Sequence, residues 1–257
     1  MVGAGYTSDV YAWGEGRVLK LFHLGKPASR AQREFAVTRS VRVAGQPAPM
    51  AYDLIELDGR FGIVFERIDG PSLEDLAQAR PWKLFAMARQ LAELHVALHS
   101  HQPRIELPPQ QQWIEEAIQD VEHLSASEKL AIRGQLAALP RGDALCHGDF
   151  HPGNILCGKN GPVIIDWGRA SRGHPLGDVA WTSWLFEHAR LPQTMPSTFR
   201  LLFESLRGLL HRTYLKRYLQ LRPGTLEEIS AWKIPLQTAA VSWGRGTGAL
   251  KQISNRR

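Results

Sequence analysis

His147-Gly148-Asp149-Phe150-His151-Pro152-Gly153-Asn154, followed by Ile164-Ile165-Asp166-Trp167-Gly168, is the stretch on which the reading of this chain turns. It sets an aspartate, an asparagine five residues later and a second aspartate seventeen residues after the first on two short loops. Between them, Ile155-Leu156-Cys157 is apolar, Gly158-Lys159-Asn160-Gly161 is turn chemistry and Val163-Ile164-Ile165 is β-branched. The spacing predicts a hairpin with Asp166 at its exit. Phosphoryl transfer from a nucleotide needs such a set. One carboxylate orients the attacking hydroxyl, and an amide oxygen with another carboxylate holds Mg2+ against the phosphates. Asp149 is the candidate for the first task, Asn154 and Asp166 for the second.

The rest of the composition agrees with a compact enzyme. The chain has 257 residues, 44% apolar and 22% charged, enough for one large domain or two lobes with a sizeable core. Cys146 and Cys157 are the only cysteines and have neither a metal-ligand spacing nor a disulfide framework, so a reducing, cytoplasmic setting is expected. The N-terminus has no basic segment leading into an apolar run, and no stretch approaches a membrane span, so no membrane association is expected. The net charge of +6 is uneven: from Pro175 onward there are twelve Lys and Arg against five Asp and Glu, and before it nineteen against twenty. That basic third is either a set of solvated helix faces or the seat of a negatively charged acceptor or partner.

At the N-terminus, Val2-Gly3-Ala4-Gly5-Tyr6-Thr7-Ser8 reads as a small-residue turn leading into a strand. Gly3 and Gly5 let backbone N–H groups approach phosphate oxygens without Cβ clashes, and Ser8 stands where a third glycine would complete a nucleotide-binding pattern. Gly14-Glu15-Gly16 is a turn, Arg17-Val18-Leu19-Lys20-Leu21-Phe22 is strand-like, and Glu34 lies fourteen residues beyond Lys20 in a helical stretch.

With these residues in view, the chain resembles the aminoglycoside phosphotransferase and choline kinase-like family, small-molecule relatives of protein kinases. The resemblance implies an α+β, bilobal kinase-like fold. Residues 1–66 would form a small antiparallel-sheet lobe with the Glu34 helix, and 67–257 a mainly helical lobe with the catalytic loop, metal site and acceptor helices. It implies Mg2+ as cofactor and ATP or GTP as co-substrate. It makes Lys20 the strand lysine that contacts the phosphates and Glu34 its ion-pair partner. Phe65 would wall the adenine pocket, with the Glu66 carbonyl and Ile68 N–H pairing with the base. Val10, Val18, Leu156 and Ile165 would sandwich it. His147 would brace the catalytic loop and His151 would stack under it or touch substrate. Asp178, in Gly173-His174-Pro175-Leu176-Gly177-Asp178, would cap a helix and grip that loop. Only Met1 and Val2 precede the glycine turn, where the family has a fuller first strand, so the turn is expected to have little chain to anchor it.

The remaining sequence is helical in pattern. After Pro81, the residues Leu84, Met87, Ala88, Leu91, Leu94, His95 and Leu98 follow a 3.6-residue stripe. His95 and His99 share its face with no acid or cysteine beside them in the run, so a hydrogen-bonded core histidine is expected rather than metal binding. Gln102-Pro103 reads as the loop that ends this helix. Trp113, Ile114, Ala117, Ile118, Val121 and Leu124 mark a further helix, and 127–139 another. Phe199, Leu202, Phe203, Leu206, Leu210 and Tyr214 form a core stripe. Trp243 through Gly248 reads as a turn or tail.

The acceptor is the open term. Aminoglycosides and choline are cationic and fit a basic C-terminal third poorly, although an aromatic cage from Trp181, Trp184, Trp232 and Trp243 would suit choline. A neutral polyol, sugar, nucleoside or anionic metabolite is equally compatible. The stretch from Asp166 to Asp178 is too short for a protein kinase activation loop. The competing class is a non-catalytic nucleotide- or nucleic-acid-binding module that uses the basic face. The intact trio of Asp149, Asn154 and Asp166 argues against it.

Overall fold

The computed structural model describes residues 2–5, 7–101, 106–188 and 196–243. Tyr6, the Gln102-Pro103 loop and the Gly244–Gly248 segment lie outside the described residues. Along the chain run β1 (Gly3–Ala4), β2 (Ser8–Ala12), β3 (Arg17–Phe22), α1 (Ala28–Val43), β4 (Ala51–Leu57), β5 (Arg60–Glu66), α2 (Leu73–Ala79), α3 (Leu84–His99), α4 (Gln110–Gln119), α5 (Ala126–Ala138) and β6 (Ala144–Cys146). They continue with β7 (Ile155–Gly158), β8 (Gly161–Ile164), β9 (Ser171–Gly173), α6 (Pro175–His188), α7 (Ser197–Leu221), α8 (Leu226–Ala231) and α9 (Lys233–Ser242). Two compact units result. One is the N-terminal chain through Leu76 together with Pro152–Ala170, so the hairpin with Asn154 and Asp166 packs with the N-terminal sheet. The other holds 77–101, Leu107–His151 and the chain from Ser171 onward.

In the first unit, an antiparallel sheet in the order β1-β2-β3-β5-β4 is built from alternating strands. Leu19, Leu21 and Val64 pack on one face; Phe22, Ile63 and Phe65 pack with Ala31 of α1 and Ala51 on the other. Period-two alternation puts Lys20 on the face of Phe22, the face that α1 covers. In α1 the buried residues Ala31, Glu34, Thr38 and Val41 recur at helical spacing, so the Glu34 carboxylate faces the sheet. The short N-terminus is nonetheless paired: Val2 N–H donates to Val10 O at 2.7 Å, and Gly3 and Ala4 pair with Val10 and Asp9. The β7–β8 hairpin forms where the sequence places it, and Gly161 adopts φ 114° at its turn. It docks through Cys157 N–H on Pro71 O (2.9 Å) and Ile164 N–H on Pro47 O (2.6 Å). A Cβ on Gly70 would overlap the Cys157 carbonyl, so this approach requires glycine there.

The second unit is helical apart from β6 and β9, an antiparallel pair. Two helices start on capping boxes, Ser125 with Glu128 and Thr225 with Glu228. The α4 helix ends at Gln119, so Val121 and Leu124 fall outside it, contrary to the periodicity; Val121 is still buried, from the following turn. Leu202 is also exposed, not core.

The centre of this unit is polar. His95 and His99, one turn apart on α3, each direct Nε2 at Oδ2 of Asp178 (both 3.2 Å) and Nδ1 at a tyrosine hydroxyl, Tyr214 and Tyr218 respectively (both 2.7 Å). All five side chains are buried. The acid that the His95–His99 run lacks is thus supplied by α6, and these residues form the cluster of potential metal ligands found among the described residues. Each ring nitrogen already has a hydrogen-bonding partner, with Nε2–H donating to the carboxylate and Nδ1 accepting from the phenol, so the cluster is complete as a hydrogen-bond network. Burial pushes His95 down to about 3 and lowers His99, which keeps both rings neutral. Burial opposes charge on Asp178, but the ring N–H groups of His95 and His99 overcome it and hold the carboxyl well below the usual range.

The consequence is acid sensitivity. Histidines whose folded pKa is depressed give stability that is complete above the unfolded value of 6.5 and is lost as pH falls toward the folded value, because the unfolded chain takes up protons first. His174 and His211, lowered by burial, act in the same sense, and Asp178 adds a further loss below about 4. The free energy of unfolding should therefore be level from pH 8 to 7 and fall below pH 6.5, by about 1.4 kcal/mol per pH unit for the fully buried His95, and the unfolding temperature should fall with it. Calorimetry showing no loss between pH 6.5 and 5 would contradict the network as described.

Candidate functional site

Lys20 lies on β3 opposite Val10 and Ile63, and its ammonium meets Glu34 Oε1 at 2.7 Å and Asp166 Oδ1 at 2.9 Å. The ion pair expected from the sequence is formed, with the second aspartate as an additional partner. Burial alone would discharge the lysine, but the Asp166 and Glu34 carboxylates outweigh it and raise its pKa, so it is held protonated. Glu34 is almost fully buried, and Gly168 makes room for it: a Cβ there would lie 3.2 Å from Oε2. Arg33, the neighbour on α1, donates to Gly168 O (3.2 Å) and Ala170 O (3.3 Å), tying the segment after Asp166 to the same helix.

Asp166 leaves β8 in a left-handed conformation, φ 65° and ψ 55°. Asp58 is the other non-glycine residue with positive φ among those described. Aspartate tolerates this region better than most residues, and the conformation turns the carboxylate out of the hairpin, where its side chain keeps 45% of its exposure. The following Trp167 is fully buried and donates its indole N–H to Ile164 O at 2.8 Å, anchoring the turn.

A cavity of about 580 Å3 opens within the first unit. Gly3, Gly5, Ser8, Lys20, Glu34, Phe65, Glu66, Ile68, Asn154 and Asp166 all line it, as do Val10, Val18, Leu156 and Ile165. Gly5 N–H bonds Ser8 O at 2.8 Å, closing the glycine turn. Ile68 also lines the cavity, and its N–H has no protein partner among the described residues. The sequence did not single out Thr38, Pro49, Asp69, Ser72 and Asp75, which also line the cavity. An amide oxygen at Asn154 and a carboxylate at Asp166 are hard oxygen donors and fit a Mg2+ ion rather than a softer metal.

Asp149, His147, His151 and Asp178 belong to the second unit. There the carboxylate of Asp178 accepts from His147 N–H (2.6 Å, at Oδ2) and Gly148 N–H (2.9 Å, at Oδ1). It is the fourth residue of α6 and not its cap; its oxygens hold the loop, the second part of its expected role. Gly148 takes φ 76°, a conformation that favours glycine, between the two residues held on either side. His147 is fully buried and accepts from Asp149 N–H through Nδ1 at 3.2 Å, which matches a bracing function. His151 is half-buried.

Two contacts were missed. Trp181 Nε1–H donates to Asp149 Oδ1 at 3.2 Å, and Thr182 Oγ1–H donates to Phe150 O at 2.8 Å. The sequence offers Trp181 as part of an aromatic cage, not as a partner of Asp149; its spacing from Asp178, three residues along one helix, is the available signal. Tyr218 was missed as well, although Tyr214 and Tyr218 repeat on α7 the four-residue spacing of His95 and His99 on α3.

Comparison with known proteins agrees with this architecture. The model of the phosphotransferase enzyme family (APH) matches residues 2–223. No curated protein matches the chain. Among solved structures, aminoglycoside phosphotransferase APH(4)-Ia superposes with a TM-score of 0.63 at 19% identity, covering 98% of this chain and 88% of that one. Aminoglycoside-3'-phosphotransferase of type VIII gives 0.61 at 18%, covering 91% and 94%. Amicoumacin kinase hAmiN, in complex with AMP-PNP, Ca2+ and Ami, gives 0.61 at 15%, covering 96% and 81%. At such identities these structures show the kinase-like fold. The family match spans most of the sequence, and the chain belongs to the phosphotransferase enzyme family.

Proposed function

We propose that this protein transfers the γ-phosphoryl group of Mg-ATP, or Mg-GTP, to a hydroxyl of a small molecule that is neutral or anionic. The observation that carries this reading is the convergence of the glycine turn, Lys20, Glu34, Ile68, Asn154 and Asp166 on one cavity from separate stretches of chain. The unpartnered Ile68 N–H suits an adenine acceptor nitrogen, and the apolar side chains of Val10, Val18, Leu156 and Ile165 suit its faces. Lys20, kept protonated and aimed by Glu34, suits the non-transferred phosphates. Nucleotide and divalent cation occur together in hAmiN, which supports the same pairing here.

Asn154 and Asp166 would hold Mg2+, which when bound neutralises charge on the phosphate oxygens. Asp149 accepts a hydrogen bond from the acceptor hydroxyl and finally its proton. A carboxylate suffices for this, because in a loose transition state the proton moves late and positioning dominates. Asp178, through the His147 and Gly148 N–H groups, keeps the backbone of that loop fixed.

The acceptor class follows from charge. Of the acids in the C-terminal third, Glu187 already faces Lys233 (3.2 Å) and His211 (3.9 Å), Glu228 is bound to the Thr225 N–H as a helix cap (2.7 Å), and Asp178 is buried in the network. The α7 helix carries Arg200, Arg207, Arg212, Lys216 and Arg217, of which Arg217 is paired with Glu93. A polycation placed beside that helix meets repulsion on the order of 1 kcal/mol for each close exposed pair at about 4 Å.

Two outcomes test the reading. Asp149→Ala should abolish phosphoryl transfer and leave Mg-nucleotide affinity within about three-fold, whereas Asp166→Ala should weaken that affinity about ten-fold or more; equal affinity losses by calorimetry would mean the roles are misassigned. In a turnover screen, aminoglycosides should stay below about 10⁴ M⁻¹s⁻¹ in kcat/KM, the low end for ordinary enzyme–substrate pairs. An aminoglycoside above that value would overturn the acceptor class.

A further inference from the structure

We propose that Trp181 is a positioning residue for Asp149, its indole N–H fixing the rotamer in which the carboxylate meets the acceptor. The inference rests on the reading of Asp149 given above. One row of α6, at positions i, i+3 and i+4, holds the loop 147–150. Asp178 takes the N–H groups of His147 and Gly148, Trp181 takes Asp149 Oδ1, and Thr182 takes Phe150 O. The contacts of Asp178 and Thr182 are to backbone and set the path of the chain. They do not reach the side chain of Asp149, and the second torsion of an aspartate is broad and nearly two-fold. The Trp181 donor meets Oδ1 and so distinguishes it from Oδ2.

Trp181 is suited to the task because it is itself fixed. It is 1% exposed, stacks on Trp184 with ring centres 4.9 Å apart and planes 6° from parallel, and meets Trp243 edge-on at 5.0 Å. A donor locked by packing holds its partner without ordering a mobile side chain at the moment of reaction. Tryptophan has one N–H and no acceptor, so it cannot compete with Asp149 as a base for the proton of the acceptor hydroxyl.

The test replaces the N–H while keeping the ring. Trp181→Phe and a variant with 3-benzothienylalanine at position 181, where sulfur stands in for the indole N–H, are compared by magnesium-ATP turnover with water as acceptor. Both should lose about 10- to 100-fold in kcat, with KM for the nucleotide within about two-fold. The benzothienyl variant should lose kcat while keeping the parent unfolding temperature, a combination that a purely packing role does not give. A benzothienyl variant with parental kcat would overturn the proposal even if Trp181→Phe is damaged. Asp149→Ala is the accompanying control: loss of its turnover with full activity of the benzothienyl variant sinks the Trp181 role alone, and retained turnover in Asp149→Ala sinks the reading of Asp149 itself.

Discussion

The buried carboxylate of Asp178 is the constraint on which the helical unit is organised. An ionised group without water is tolerated only when donors surround it. Here two ring N–H groups come from α3 and two backbone N–H groups from His147 and Gly148. The tyrosines of α7 complete the rings, so the packing of α3 on α7 and the shape of the loop are settled by the same charge. The loop that carries Asp149 is thereby held by the same network.

A second charge cluster organises the sheet unit. Lys20 is shared by Glu34 and Asp166, and the two acids differ in kind. Glu34 is buried and fixed on α1, whereas Asp166 is half-exposed on a left-handed turn at the cavity. A nucleotide phosphate and a divalent cation would each satisfy one side of the Lys20–Asp166 contact, and Glu34 would remain as the anchor. The division between a permanent and an exchangeable partner follows from burial, since solvent competes for Asp166 and cannot reach Glu34.

Much of this was legible in the residues. The hairpin and the positions of Lys20 and Glu34 follow from period-two and period-3.6 patterns with glycine turns between, because those signals are local. The resemblance carried by the Asp149–Asn154–Asp166 set led to the family. What the sequence hid was contact between helices distant in the chain. His95 read correctly as a hydrogen-bonded core histidine, but its acid lies on another helix, and no local pattern ties position 95 to 178. Trp181 read as one of four tryptophans available for a cage; the N–H that reaches Asp149 depends on helix rotation. The Val121–Leu124 overrun arose because Val121, buried in the turn that follows α4, and Leu124 continue a helical pattern after the helix has ended.

The most direct measurement of the central claim is 31P NMR of the protein with magnesium ATP and a panel of sugars, polyols, nucleosides and anionic hydroxyl compounds. The account predicts a new phosphomonoester resonance with ADP formed in equal amount, absent when Asp149 is alanine. Tight magnesium-nucleotide binding without any phosphomonoester or inorganic phosphate, together with nucleic-acid retention that falls steeply with salt, would contradict it and favour a binding module.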